Sequence, residues 1–259
     1  MSNSTEFTLG HGDLKVIVVH GWMAGRALFD PIHPFLDLAA FTFAFMDCRG
    51  YGDRLDSAGP YDVQTIAADV LELADEMGWQ AFSVLGHSMA GMSAQWLLET
   101  VPCRVQSLVL LSTVPARGAN ISQERRQLLE SAITNPECRR ALIDINTGHQ
   151  RTVEWLDQTL ALSLATTTPT ALREYLRSWT HDGFEPQLKT GGAPTLLLVG
   201  ELDPGATLKL MQEQVEPSLL LSLMQQLPGV GHYAMREDPR ALAQAAQAFI
   251  AVSAARPAC

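Results

Sequence analysis

Two short runs, Val16-Ile17-Val18-Val19 and Leu108-Val109-Leu110-Leu111, are apolar at every position. A strand with one face in water alternates apolar and polar residues. A strand apolar on both faces must be covered on both, as the central strands of a parallel sheet are. Similar runs recur at Lys15–His20, Phe41–Asp47, Phe82–Gly86, Ser107–Ser112, Pro194–Gly200 and Leu219–Leu227, and Glu6–Gly10 fits an edge strand. Helical patterns lie between them. Val63–Met77 places Ile66, Val70, Leu73 and Met77 three and four residues apart and closes at Gly78, as a helix C-terminus does. Met89–Thr100 stops before Pro102, and Asp238–Ala254 carries Pro239 in its first turn. Strands alternating with helices in this way predict an α/β chain built on a doubly wound, mostly parallel sheet.

The alternation breaks once, between Arg117 and Gln187. There Val153, Leu156 and Leu160 share one helical face, and Leu172, Leu176 and Trp179 share another after the Thr168-Pro169 start signal. The chain therefore divides into a core, residues 1–116 and 188–259, and a helical cap insertion, residues 117–187. The insertion holds 8 bases against 9 acids, so almost all of the chain's net charge of −10 belongs to the core.

That charge bears on partners. Acids outnumber bases 28 to 18 and only three bases are lysines, which disfavours nucleic acid and anionic lipid. With 47% apolar and 18% charged residues the chain can bury a sizeable core. Met1–Gly12 lacks the basic-then-apolar order of a secretory signal, and no apolar run approaches the ~20 residues of a bilayer span. Cys48, Cys103, Cys138 and Cys259 are scattered without metal-site or disulfide-framework spacing, so reduced thiols, a cytoplasmic location and no metal are expected. The last residues, Ser253–Cys259, are small and expected to fray.

The most informative stretch is Phe82-Ser83-Val84-Leu85-Gly86-His87-Ser88-Met89-Ala90-Gly91. A strand ends, a turn presents one serine, and a helix begins at once. Gly86 and Ala90, small residues two positions either side of Ser88, allow a tight, strained turn that exposes the hydroxyl and aims the helix N-terminus at the reacting centre. A serine hydroxyl needs a base within hydrogen-bonding reach. His232, in Leu227-Pro228-Gly229-Val230-Gly231-His232-Tyr233 after the last strand run, sits on a glycine-rich loop able to present its ring.

These segments resemble the α/β-hydrolase fold, whose nucleophile elbow reads G-x-S-x-G. Here the fifth position is Ala90 and the glycine follows one residue later. The resemblance covers roughly Leu14 to Ile250. It implies the order serine, acid, histidine, and so points to Asp203 in Gly200-Glu201-Leu202-Asp203, since Ser112-Thr113-Val114-Pro115 after the preceding strand offers no acid. Glu201 is the competitor on the same turn. The resemblance further implies an oxyanion hole from the backbone N–H groups of Met89 and, after the His20-Gly21 dipeptide, Trp22. His20 and His87 are read as bracing and packing residues; so are His33, His149 and His181. Met46-Asp47-Cys48-Arg49-Gly50-Tyr51-Gly52 resembles the family's D-x-R-G-x-G turn, although Asp53-Arg54 replaces the usual small polar pair; Asp47 and Arg49 are structural ion-pair candidates.

A serine nucleophile argues against the epoxide hydrolases and dehalogenases of the fold, which use aspartate there. The resemblance implies a serine esterase acting without metal or organic cofactor, and a cap with little net charge over an apolar mouth fits a small, apolar or uncharged ester better than a polyanion. Gly21, Met23, Trp155, Leu160, Tyr175 and Trp179 are the candidate pocket residues. The alternatives are a lactonase or a carbon–carbon hydrolase of aromatic degradation, a cofactor-free haloperoxidase-like activity, and a non-catalytic binding module. The carbon–carbon hydrolase ranks lower, because Gly21–Gly25 lacks the asparagine expected near such an oxyanion hole.

Overall fold

The runs apolar on both faces form the middle of one seven-stranded sheet. In the computed structural model, which describes residues 6–187 and 192–254, its strands are β1 (Glu6–Gly10), β2 (Leu14–Val19), β3 (Phe41–Met46), β4 (Phe82–His87), β5 (Val105–Leu111), β6 (Thr195–Gly200) and β7 (Ser222–Leu227). Their order is β1-β3-β2-β4-β5-β6-β7. Only β1 is antiparallel, lying on β3; every other neighbour is parallel. The expectations for the extreme N-terminus and for residues 255–259, Cys259 included, lie outside the described residues.

Helices cover the sheet. On its way between strands the chain forms α1 (Val63–Glu76), capped by the Asp62 carboxylate on the Thr65 N–H at 2.6 Å, and α2 (Met89–Thr100). After β5 come α3 (Gln123–Ala132), α4 (Pro136–Asn146), α5 (Val153–Ala165) and α6 (Pro169–His181) with no strand between them. Ser122, Asn135, Thr152 and Thr168 cap their N-termini, so each helix start follows from local sequence. The chain closes with two short helices, α7 (Leu208–Leu210) and α8 (Ala234–Glu237), and with α9 (Pro239–Ser253). Leu129, Leu142, Leu156, Leu172 and Trp179 of α3–α6 belong to the same contiguous core as the sheet. Among the described residues no helix is long and apolar enough to cross a membrane.

Two expectations need correction, and one element had no counterpart in the sequence reading. β7 begins at Ser222 rather than Leu219, and Leu220, Leu221 and Leu223 are exposed. The strand pairs with β6 only, so an apolar run here lies at an open edge instead of between two covered faces. Val153, expected on the apolar face of α5, is 68% exposed because it is the first residue of that helix. Arg26–Phe35, which shows no helical reading in the sequence, forms tight 3₁₀ turns around Pro31 and Pro34 and buries Leu28, Phe29 and Ile32.

The topology decides where chemistry can sit. The chain passes from β2 outward to β3 and then returns across β2 to β4, reversing direction in the sheet. Ligands of open α/β sheets bind outside the carboxyl ends of the strands at such a reversal. Because β2, β4, β5, β6 and β7 are parallel, the residues following them (Gly21, Ser88, Ser112, Asp203 and His232) all emerge on that one edge.

Candidate active site

Ser88 joins β4 to α2 with φ 55° and ψ −116°, a left-handed backbone that an L-residue adopts only when its surroundings impose it. The surroundings are β5: the Ser88 N–H donates to the Leu111 carbonyl at 2.9 Å, and the Ser88 carbonyl accepts from Val114 N–H at 3.1 Å and Gly91 N–H at 3.0 Å. A Cβ on Gly86 would stand 2.6 Å from the Ala90 carbonyl oxygen, and one on Gly91 would stand 2.6 Å from Thr113 Cβ. The displaced glycine of the motif is thereby explained. Ala90 fits, buried, while Gly91 lies where the chain after β5 presses on α2.

His232 follows β7 on its glycine-rich loop. Its Nδ1 stands 2.6 Å from Asp203 Oδ2, while Asp203 Oδ1 accepts from the Gly205 N–H at 2.8 Å. A carboxylate on Nδ1 fixes that nitrogen as the donor and leaves Nε2 with its lone pair free for a substrate-side proton. Asp203 is wholly buried, which raises a carboxyl. The adjacent His232 charge and hydrogen bond, with Gly205 N–H, outweigh burial and hold the group below its ordinary value, in its ionised form. Glu201, the competing acid, accepts from Gly229 N–H at 2.8 Å instead and does not pair with His232.

The loop after β2 abuts the serine. A Cβ placed on Gly21 would lie 3.0 Å from Ser88 Cβ and 2.6 Å from His87 Nδ1. Trp22 Nε1 donates to the Leu172 carbonyl at 2.7 Å, the Trp22 carbonyl accepts from the Tyr51 hydroxyl, and the Met23 carbonyl accepts from Ser163. Helices α5 and α6 therefore brace the backbone expected to supply one oxyanion donor; Met89, expected to supply the other, opens α2 with a first-turn N–H. His20 braces the same loop: Nδ1 lies 2.7 Å from the Gly21 carbonyl and Nε2 accepts from Cys48 N–H at 3.0 Å, a pairing only neutral imidazole can make. Burial lowers its pKa against the opposing pull of Asp47. Asp47 and Arg49 form structural ion pairs, with Arg26 and Asp69 respectively.

One cavity of about 130 Å³ joins these pieces, lined by Gly21, Trp22, Met23, Ser88, Asp203 and His232. Its apolar wall comes from Leu28, Val114, Leu129, Leu142, Trp179 and Leu210. Of the expected pocket residues, Gly21, Met23 and Trp179 line it, whereas Trp155, Leu160 and Tyr175 do not. Tyr175 is fully buried behind the site, its hydroxyl donating to the Arg49 carbonyl at 3.2 Å. Trp155 lies tilted against Tyr233, with its ring beneath the Arg236 guanidinium, and Leu160 packs half-buried against the core.

Several residues at the site carry no motif. His87, read as packing, donates from Nε2 to the His232 carbonyl at 2.9 Å. Glu237 accepts from Gly231 N–H at 2.9 Å and Tyr233 N–H at 2.8 Å, and the Asn146 carbonyl accepts from His232 N–H at 2.8 Å. Arg125 and Asn146 reach the cavity from α3 and α4. The Gly229-x-Gly231 spacing is the one sequence signal that could have pointed to such contacts, since a glycine-rich loop leaves its N–H groups open to partners.

A family model described as the alpha/beta hydrolase fold matches residues 15–239. Over 113 residues the chain is 34% identical to the pimeloyl-[acyl-carrier protein] methyl ester esterase of Klebsiella pneumoniae (strain 342), covering 43% of this chain and 41% of that protein. Over 209 residues it is 26% identical to 3-oxoadipate enol-lactonase 2 of Acinetobacter baylyi, covering 79% and 76%. The matches span between about a third and a half of the length of the first curated relatives. Among solved structures, a thermophilic esterase from Thermogutta terrifontis superposes with a TM-score of 0.81 at 21% identity, over 96% of this chain and 93% of that one.

Proposed function

The chain belongs to the α/β-hydrolase family, and on that premise we propose that it is a serine hydrolase that cleaves a small carboxylic ester through an acyl-enzyme. The observation that carries this reading is a strained, β5-anchored Ser88 opening into the same cavity as a His232 whose Nδ1 is held 2.6 Å from Asp203. Ser88 Oγ attacks the ester carbonyl while His232 Nε2 takes its proton. The N–H groups of Trp22 and Met89 stabilise the oxyanion, and Asp203 stabilises the imidazolium. Collapse expels the alcohol, which takes the proton from His232. Water, activated in the same way, then releases the acid and restores Ser88.

In this reading residues 117–187 are the cap on a core made of residues 1–116 and 188–259, and the apolar cavity wall takes the acyl or alcohol chain. A lactone is the second reading, favoured by the enol-lactonase, the relative reported above that aligns over most of this chain. The test is labelling with a fluorophosphonate followed by peptide mass spectrometry. The adduct is expected on Ser88 and absent from Ser88→Ala; an adduct elsewhere, or none, overturns the assignment. Initial rates on p-nitrophenyl esters against lactones divide the two substrates.

A further inference from the structure

Arg125 is the one arginine or lysine among the described residues lining the cavity. It stands in the first turn of α3, half-buried, and a single acceptor among the described residues takes a hydrogen bond from its guanidinium: Asn146 Oδ1, 2.5 Å from Nη2. No carboxylate of the described residues lies within ion-pair distance of it. Buried Arg139 on α4 makes the contrast. It too lacks a carboxylate, yet it spends its donors on the Ala132 and Ile133 carbonyls, Ser163 Oγ and Thr167 Oγ1. Arg139 is a satisfied structural group, whereas Arg125 keeps most of its five N–H donors for the cavity. Desolvation already lowers its pKa, so an anion arriving there relieves a burial cost.

The rest of the cavity narrows the ligand. The cavity that holds both Ser88 and Arg125 is mainly apolar, with Leu129, Leu142, Met23 and Trp179 in its wall. The nearby negative charge, Asp203, is committed to His232 and to the Gly205 and Ala206 N–H groups. We propose that Arg125 binds an ionised carboxyl group of the substrate, remote from the bond that is cut: the ester carries a second, free carboxylate across an apolar spacer. A guanidinium matches a carboxylate in a two-pronged pair, which fixes the direction of the substrate as well as its charge. This rests on the ester-hydrolase reading above and names its substrate class.

The test compares matched neutral and carboxylate-bearing esters, the carboxylate on the acyl chain in one series and on the alcohol in the other. The enzyme should prefer the charged member in at least one series. In Arg125→Gln the ratio of kcat/KM for charged over neutral ester should fall roughly tenfold to a hundredfold, and Arg125→Lys should recover part of it. A role confined to holding Asn146 and His232 lowers both substrates together, leaves the ratio unchanged, and overturns the proposal. So does the absence of any preference in both series. Binding of glutarate and adipate by calorimetry, to wild type and to Arg125→Gln, needs no turnover. Loss of binding in the variant supports the carboxylate site even if no ester is cleaved, and equal binding refutes it.

Discussion

Acid should destabilise this fold through a buried histidine. His87 is wholly buried, and burial, with the adjacent His232, holds its imidazole well below the ordinary 6.5. Its Nε2 is occupied by the His232 carbonyl, and its Nδ1 is a buried atom with no hydrogen-bond partner among the described residues. A second proton on the ring would therefore be an uncompensated charge in the core. The unfolded chain takes that proton near the ordinary value while the folded chain refuses it. Between the two pKa values the unfolded state binds more protons, so stability is complete above 6.5 and declines as the pH falls. One proton sets a limiting slope of about 1.4 kcal/mol per pH unit, and the loss between about pH 7.5 and about pH 5.5 is again about 1.4 kcal/mol. His20, also lowered by burial, adds a decline of the same sign. Urea unfolding of wild type and of His87→Gln, which keeps an N–H donor but cannot titrate, isolates the His87 part. The stability gap between the two proteins should shrink by about 1.4 kcal/mol over that interval. A constant gap, or one that widens in acid, refutes a neutral buried His87.

Three further outcomes are expected. Asp203→Asn preserves shape but offers His232 an amide in place of the carboxylate that accepts from Nδ1, and kcat/KM on p-nitrophenyl butyrate should fall roughly 10³–10⁴-fold; full activity would move the acid role to Glu201. In Gly231→Ala the new Cβ runs into the Asn146 carbonyl and lies 2.6 Å from Thr147 Cα. A shift of about 1 Å in the His232 loop should cost on the order of 10²-fold in kcat and slow fluorophosphonate labelling of Ser88, with the circular dichroism spectrum unchanged. Thr168→Ala removes the hydroxyl that accepts from Ala171 N–H at 3.2 Å at the start of α6, and should lower unfolding stability by about 1 kcal/mol in urea titrations.

The sheet was legible because parallel strands covered on both faces cannot hide their composition: β2, β3, β4 and β6 fall within a residue or two of their apolar runs. Ser88 and His232 were legible because their loops carry local signatures, a serine between small residues and a histidine among glycines, and Asp203 because the family resemblance implies an acid between them in the chain. The pocket wall was not. Trp155, Leu160 and Tyr175 sit on helices with apolar residues on more than one side, and a helical period cannot say which side meets a cavity assembled from distant segments. Arg125 was hidden for the opposite reason. Its surroundings, Ser122-Gln123-Glu124-Arg125-Arg126-Gln127, have the composition of a solvated helix start.

The near-neutral charge of residues 117–187 points to an uncharged substrate, whereas the Arg125 proposal points to a charged one. A sum of charges weighs each side chain equally, but substrate sees only what faces the cavity. Arg117, Arg140 and Arg177 pair with Glu185, Asp157 and Asp182 in solvent, where such pairs contribute little; Arg125 lines the cavity with no carboxylate partner among the described residues. Asn146 then joins two jobs, since its side chain accepts from Arg125 while its main-chain carbonyl accepts from His232 N–H. An anion drawn to Arg125 pulls on the residue that helps to hold the base. A change at Arg125 will thus reach the reaction along two paths, through substrate charge and through His232, and only the first distinguishes a charged ester from its neutral twin. For that reason the selectivity ratio, rather than the rate on any single ester, isolates what the arginine recognises.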